Sequence, residues 1–218
     1  MLTLQHILDE MTYEEYVQHL LEKYGAVPYD YFIDRSMLVK TGKKISRSVD
    51  GLEVHHIDET KYLFLSDPQA CKDQNAPWEC QKADRLVYCD KVEHLILHMK
   101  IIEEYRPRAE WIQYFELGPL DIIASINDLY TYFLEHATLQ TTWYGNLTKK
   151  ILPKYKEYIL ILNLIKLILE PLGVPEDRIN ALIFASHSSE GCHEKLINEV
   201  EHLDEKLLAY LENTNIDL

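Results

Sequence analysis

Two histidines four residues apart, His94 and His98, stand in a stretch where Val92, Leu95, Ile96, Met99 and Ile102 recur at helical spacing. Residues four apart on a helix lie one turn apart on the same face, so the two imidazoles can bind one metal ion together. Alone, the pair is weak evidence, since two histidines on a mostly apolar helix are more often ordinary partly buried side chains. A second pair, His55-His56, follows Leu52 and Val54, which alternate with Glu53 in a short strand pattern. Adjacent residues on a strand point to opposite faces. Near a strand end, one imidazole of such a pair can hold a metal while the other faces a water.

Other elements must bring these histidines together. Asp90 is a good N-cap for a helix from about Lys91 to Tyr105, and Arg85-Leu-Val-Tyr-Cys89 before it reads as a second short strand. Between the strands, the segment from Glu59 to Ala83 contains Pro68 and Pro77 and reads mostly as loop, and loops this long tend to carry function. Upstream, Thr12 with Glu15 forms a capping-box pattern ahead of a helix that Gly25 stops, and residues 26–50 look irregular or extended. Past Pro107 the pattern predicts helices near 119–138, 148–172, 175–187 and 190–212, with Pro119 and Pro175 in first-turn positions.

The order of these pieces is more specific than any of them. Glu53-Val-His-His-Ile-Asp58, then Arg85-Leu-Val-Tyr-Cys89, then His94-Leu-Ile-Leu-His98 resembles the ββα-metal, or HNH, finger of nucleases, over roughly residues 50–105. The resemblance implies an α+β fold, mostly α, with the finger embedded between an N-terminal helix and a C-terminal helical bundle. The chain then divides into a helix and basic connector (1–50), the finger (51–106) and an acidic helical region (107–218).

By position, the resemblance makes His55, His94 and His98 ligands of one divalent ion (Mg²⁺, Mn²⁺, Ni²⁺ or Zn²⁺), with His98 alternatively a phosphate contact. Three imidazoles favour Zn²⁺, Ni²⁺ or Mn²⁺ over Mg²⁺. His56 takes the place of the general base, a role suited to a group with an ordinary pKa near 6.5. One departure matters. Where the family carries an Asn that holds the base, this chain has Arg85, preceded by Asp84, and a guanidinium has only donors. Either Asp84 orients His56, or Arg85 contacts the scissile phosphate, or the finger binds metal without cutting.

Composition sets a limit on partners. The net charge of −14 argues against a general nucleic-acid binder. A local basic stretch, Arg35, Lys40, Lys43, Lys44 and Arg47, contains no acid and is where phosphate would be met. Two partnerships fit: DNA or RNA steered onto the finger by that stretch, or a basic protein already loaded with nucleic acid, such as a CRISPR effector, bound through the acidic bundle. Small HNH-like proteins of mobile elements share this look. The competing reading is a non-catalytic acidic interaction protein, for example an anti-defence or anti-CRISPR inhibitor, with a degenerate finger.

The four cysteines form no CxxC pair, which speaks against a zinc ribbon. The N-terminal residues are too charged for a signal-peptide core. The longest apolar run, Tyr158 to Leu169, is too short for a bilayer and contains Asn163 and Lys166. A soluble, cytoplasmic protein with no membrane partner is therefore expected.

Overall fold

In the computed structural model, residues 4–136 and 143–187 are described. The chain is mostly helical with one two-stranded antiparallel sheet. In order the elements are α1 (Leu4–Glu10), α2 (Tyr13–Tyr24), β1 (Glu53–His56), α3 (Pro68–Asp73), β2 (Leu86–Cys89), α4 (Lys91–Tyr105), α5 (Trp111–Leu117), α6 (Pro119–His136), α7 (Trp143–Ile151), α8 (Tyr155–Leu169) and α9 (Glu176–Ile183). Among the described residues, no helix is long and apolar enough to cross a membrane.

The sheet sorts its side chains by parity. His55 pairs with Val87 and Glu53 with Cys89, while His56 pairs with Leu86 and Val54 with Tyr88. Directly opposed residues of an antiparallel pair share a face. Val87 and Cys89 belong to the main core with α2 and α4, whereas Leu86 and Tyr88 pack against Val27, Ile45 and Leu52 on the other side. His55 and Glu53 therefore face α4, and His56 faces away from it. Gly51, just before the strand, has φ +69, and a Cβ there would lie 2.6 Å from the Asn146 carbonyl oxygen of α7. Only glycine fits so close an approach in a left-handed conformation.

Helix α4 is the hub. Its N-terminus carries the full capping box of Asp90 and Glu93. It buries not one stripe but most of its circumference: Val92, Leu95, Ile96, Leu97, Met99, Ile101 and Ile102 are all inside. Such a helix is covered from several sides, here by α2, the sheet, α5 and α6.

Two sequence expectations change. The helix read over 148–172 is broken: α7 ends at Ile151, a short 3-10 turn holds Pro153, and α8 begins at Tyr155. Proline lacks the N–H that a continuous helix needs and clashes with the preceding turn. The long segment between the strands is not a bare loop either. It contains α3, capped by Asp67 with Pro68 in its first turn, over a small core of Phe32, Leu65, Cys71, Ala76 and Cys80. The helix expected near 190–212 lies outside the described residues.

A buried ion cluster ties α4 to the later helices. Lys154 Nζ donates to Asp90 Oδ2 at 2.6 Å and to Glu93 Oε1 at 2.8 Å, and Lys23 Nζ of α2 donates to the same Glu93 oxygen at 2.6 Å. Burial raises the Glu93 pKa, but Lys154 and Lys23 outweigh it and hold the carboxyl at about 2. Removing one partner of a buried ion pair leaves an uncompensated charge, at a cost of about 3–5 kcal/mol. Lys154→Met is expected to lower the free energy of unfolding by about that amount, seen as a lower urea midpoint with an unchanged slope. A midpoint within experimental error of the wild type would mean the cluster contributes nothing.

Candidate metal centre

Four side chains converge between β1, the turn after it, and α4. His55, Glu59, His94 and His98 each offer one ligand atom, all within 4.8 Å of one another. The three imidazole centroids are 5.0–5.3 Å apart. Sequence spacing pointed to the three histidines and missed Glu59. It sits in the 3-10 turn Ile57–Thr60 after β1, which carries its carboxylate back over His55.

The hydrogen bonds fix which atoms face inward. The Tyr13 hydroxyl donates to the Ile57 carbonyl at 3.0 Å and lies 3.0 Å from His55 Nε2. A phenol has one proton to give. With that proton on Ile57, His55 Nε2–H is the donor to Tyr13, and His55 Nδ1 is left as a bare lone pair. That Nδ1 is buried without a hydrogen-bond partner and points at Glu59 Oε2, 3.4 Å away. On α4, His94 Nδ1 lies 3.2 Å from Glu53 Oε2 and donates to it, which leaves His94 Nε2 as its acceptor. His98 Nε2 stands 3.2 Å from Glu59 Oε2.

His98 Nε2 is placed to donate to Glu59 Oε2, whereas the His55 Nδ1 lone pair has no donor. Burial pushes the His55 pKa well below its ordinary value and also lowers that of His94. For Glu59, burial raises the pKa, but the His98 hydrogen bond and the neighbouring imidazoles dominate and hold the carboxyl well below its ordinary range. Imidazoles and a carboxylate gathered at one point are a donor set that a divalent cation can take up, releasing any protons they hold. Tetrahedral ligands about 2.0–2.1 Å from Zn²⁺ stand about 3.3 Å from one another, close to the spacings around Glu59. The outer partners fit as well: a metal-ligating histidine normally hands its other N–H to a carboxylate or similar acceptor, as His94 does to Glu53 and His55 to Tyr13. The four residues can thus hold a metal ion. A close approach also sets the His98 ring. A Cβ on Gly118, between α5 and α6, would lie 2.7 Å from His98 Nδ1.

His56 lies on the other face of the strand. It is only 1% exposed, and its ring packs edge-on against Tyr31 with centroids 4.4 Å apart. Its partner is neither Asp84 nor Arg85 but Gln81, whose Oε1 is 3.0 Å from His56 Nε2. Gln81 Nε2 donates to the Leu65 carbonyl at 3.1 Å, so the amide oxygen is the end that faces the histidine. His56 therefore donates from Nε2, which leaves Nδ1 unprotonated in the neutral ring. Arg85 is engaged elsewhere: its Nε and Nη2 donate to both oxygens of Asp58 at 2.8 and 2.7 Å. Asp84 is exposed.

Two openings meet at the centre. A cleft of about 870 Å³ is lined by Glu59, His94 and His98 on one side and by residues of α5, α6 and α9 on the other. A smaller groove of about 380 Å³ shares His94 with it and is lined by Lys40, Arg47 and Lys91. Of the basic stretch expected to meet phosphate, Lys40 and Arg47 reach this groove. Arg35, Lys43 and Lys44 are exposed beyond its walls, with the Lys44 ammonium 5.7 Å from the Tyr29 ring centroid.

Calorimetric titration with Zn²⁺ is expected to give one site per chain. Loss of an outer-shell partner typically costs about 10- to 100-fold in metal affinity, and Tyr13→Phe and Glu53→Gln should each weaken binding by about that factor. Saturating Zn²⁺ should also raise the melting temperature, reversibly on chelation, because the ion binds only the folded chain. Wild-type affinity in both variants would show that the centre does not depend on these partners.

No protein-family model matches the chain, and no curated protein or solved structure matches it, so the geometry of the site itself carries the functional reading.

Proposed function

We propose that this chain is a metal-dependent phosphodiester hydrolase of the HNH type, an endonuclease acting on DNA or RNA, with residues 51–106 as its ββα-metal finger. The observation that carries this reading is the convergence of His55, His94 and His98 from a strand end and one helix face, with a separately held imidazole, His56, on the adjacent position. A divalent ion there would stabilise the charge that develops on the phosphate and the leaving oxygen.

The residues divide the remaining work. Gln81 fixes the tautomer and orientation of His56 with Nδ1 unprotonated, and the nuclease reading requires the attacking water to reach that nitrogen on a ring 1% exposed on the strand face turned away from α4. Gln81 thereby does what the family's Asn does, from a different place in the chain. Lys40, Arg47 and Lys91 line the groove beside His94 together with Glu53 and Asp121, and in this reading the phosphodiester backbone follows the three cations despite the net charge of −14. Asp58 locks Arg85 in place, and the turn that carries Glu59 hangs from that clamp.

A second reading has its own support. Glu59 completes a four-donor set, and a structural metal site is closed where a catalytic one keeps a position open. Together with the burial of His56, this favours a non-catalytic acidic interaction protein in which the metal braces the fold and the partner is a basic, nucleic-acid-loaded protein.

A cleavage assay separates the two. Wild type and His56→Ala would be incubated with plasmid, single-stranded DNA and structured RNA across Mg²⁺, Mn²⁺, Ni²⁺ and Zn²⁺, with a chelator control. The nuclease reading expects metal-dependent cutting that falls by about 10²–10⁴-fold in His56→Ala, with Zn²⁺ affinity retained. Equal cutting by both proteins would remove His56 from the mechanism. Cutting by neither, with the metal bound, would leave the interaction reading.

A further inference from the structure

The large cleft beside the metal centre has two features that the centre itself does not require. Phe64 lies on its wall, 45% exposed, with φ +54. A bulky residue in the left-handed region is strained, and such strain clusters where function needs a side chain held in place. The backbone on both sides enforces it. Gln74 clasps Leu63 through Leu63 N–H to Oε1 at 2.8 Å and Nε2 to the Leu63 carbonyl at 2.7 Å, and the Phe64 carbonyl accepts from the Asp67 amide at 2.9 Å. Burial cannot be the reason for holding an aromatic ring this way, since the ring is half in solvent.

The second feature is Arg106. It lies two helical turns beyond His98 and lines the same cleft. Its Nη2 donates to the Glu59 carbonyl at 3.0 Å, and the guanidinium lies 4.6 Å from the centroid of Tyr114. Its Nε–H is buried without a hydrogen-bond partner. A buried donor left unpaired is costly, and a phosphate oxygen is what a guanidinium fork binds best. The opposite wall carries Glu116, neutralised by a bidentate pair with Arg178, and Asp121.

We propose that this cleft takes an unpaired nucleobase stacked on Phe64, with Arg106 engaging the phosphate that enters the metal centre, so that the chain prefers single-stranded nucleic acid to duplex. An intact duplex keeps its bases stacked inside and has no free ring to offer Phe64. Stacking on an aromatic side chain is largely independent of base identity, so the preference is for strandedness and not for sequence. The inference rests on the nuclease reading for the cutting of the bound strand, but the binding can be measured by itself.

The test uses the full chain loaded with Zn²⁺ and short fluorescein-labelled phosphorothioate oligonucleotides, single-stranded DNA, single-stranded RNA and the duplex of each, titrated by anisotropy at fixed ionic strength. Phe64→Gly is the informative variant. It deletes the ring and also relieves the positive φ, so its melting temperature should equal or exceed that of the wild type. It should nevertheless lose about 5- to 100-fold in affinity for single strands, the range that loss of one stacked base predicts, with duplex binding unchanged. Phe64→Trp should restore the loss, and Arg106→Gln should weaken every strand. Duplex bound as tightly as single strand, no binding of any strand, or full single-strand affinity in Phe64→Gly would each overturn the proposal. The corresponding phosphodiester strands give the second readout. Phe64-dependent binding without cutting leaves this inference standing and removes the nuclease reading. Cutting of duplex and single strand at equal rates by wild type and Phe64→Gly does the reverse.

Discussion

A neutral His55 ring, fully buried between α2, α4 and the sheet, is the constraint around which the rest is arranged. A buried polar group must be paired, and a buried imidazole has two nitrogens to satisfy. One is met by Tyr13, which requires α2 to pass over the strand end. The other faces Glu59, itself a carboxylate that burial alone would protonate. Glu59 is met in turn by His98, and a divalent ion among Glu59, His94 and His98 could satisfy the His55 lone pair as well. The capping box of α4, the close approach at Gly118 and the 3-10 turn after β1 all serve to bring those groups to one point. Hydrophobic packing alone gives no reason to gather three imidazoles and a carboxylate in one place.

How far the sequence alone leads depends on whether a contact is local. The two strands and α4 were legible because period-two and helical patterns state them directly, and His94 and His98 four apart declare a shared face. Strand parity separated His55 from His56, and the resemblance to the HNH finger chose His55 as the ligand. Glu59 was hidden because the residues after β1 read as loop. Nothing in the pattern says that a single 3-10 turn folds the carboxylate back over the strand. Gln81 was hidden for a different reason. It reaches His56 only because the long connection has its own small core, which buries an amide twenty-five residues from its partner. Arg85 looked like a replacement for the family's Asn because the reading went by position along the chain. In space its nearest opposite charge is Asp58, and a bidentate pair outcompetes any weaker use of the guanidinium. The break between α7 and α8 did have a local signal, Pro153, which continuous apolar periodicity masked.

The charge distribution bears on both functional readings. A chain at −14 repels polyanions as a whole, yet the sites that open onto the centre are lined by Lys40, Arg47 and Lys91 on one side and by Arg106 on the other. Several of these cations already have internal partners: Lys91 meets Glu53, Arg47 meets Asp50, and Arg106 meets a carbonyl. On the nuclease reading, a phosphate would meet these cations only at short range, on walls that also carry Glu53, Glu116 and Asp121. Such an arrangement favours selectivity over raw affinity.

Helix α4 has one more implication. It carries two of the inward imidazoles, and yet its apolar residues belong to the same continuous core as Tyr13 of α2, Ile123 of α6 and Ile161 of α8. Its N-terminus is neutralised by Lys154 from beyond the break at Pro153. The segment that carries the candidate metal centre is therefore not a cassette. Transplanted into another scaffold, it would arrive without the phenol that sets the His55 tautomer and without the ammonium that offsets Asp90 and Glu93. A substitution in the segment is therefore felt by the helices around it, and one in those helices by the segment.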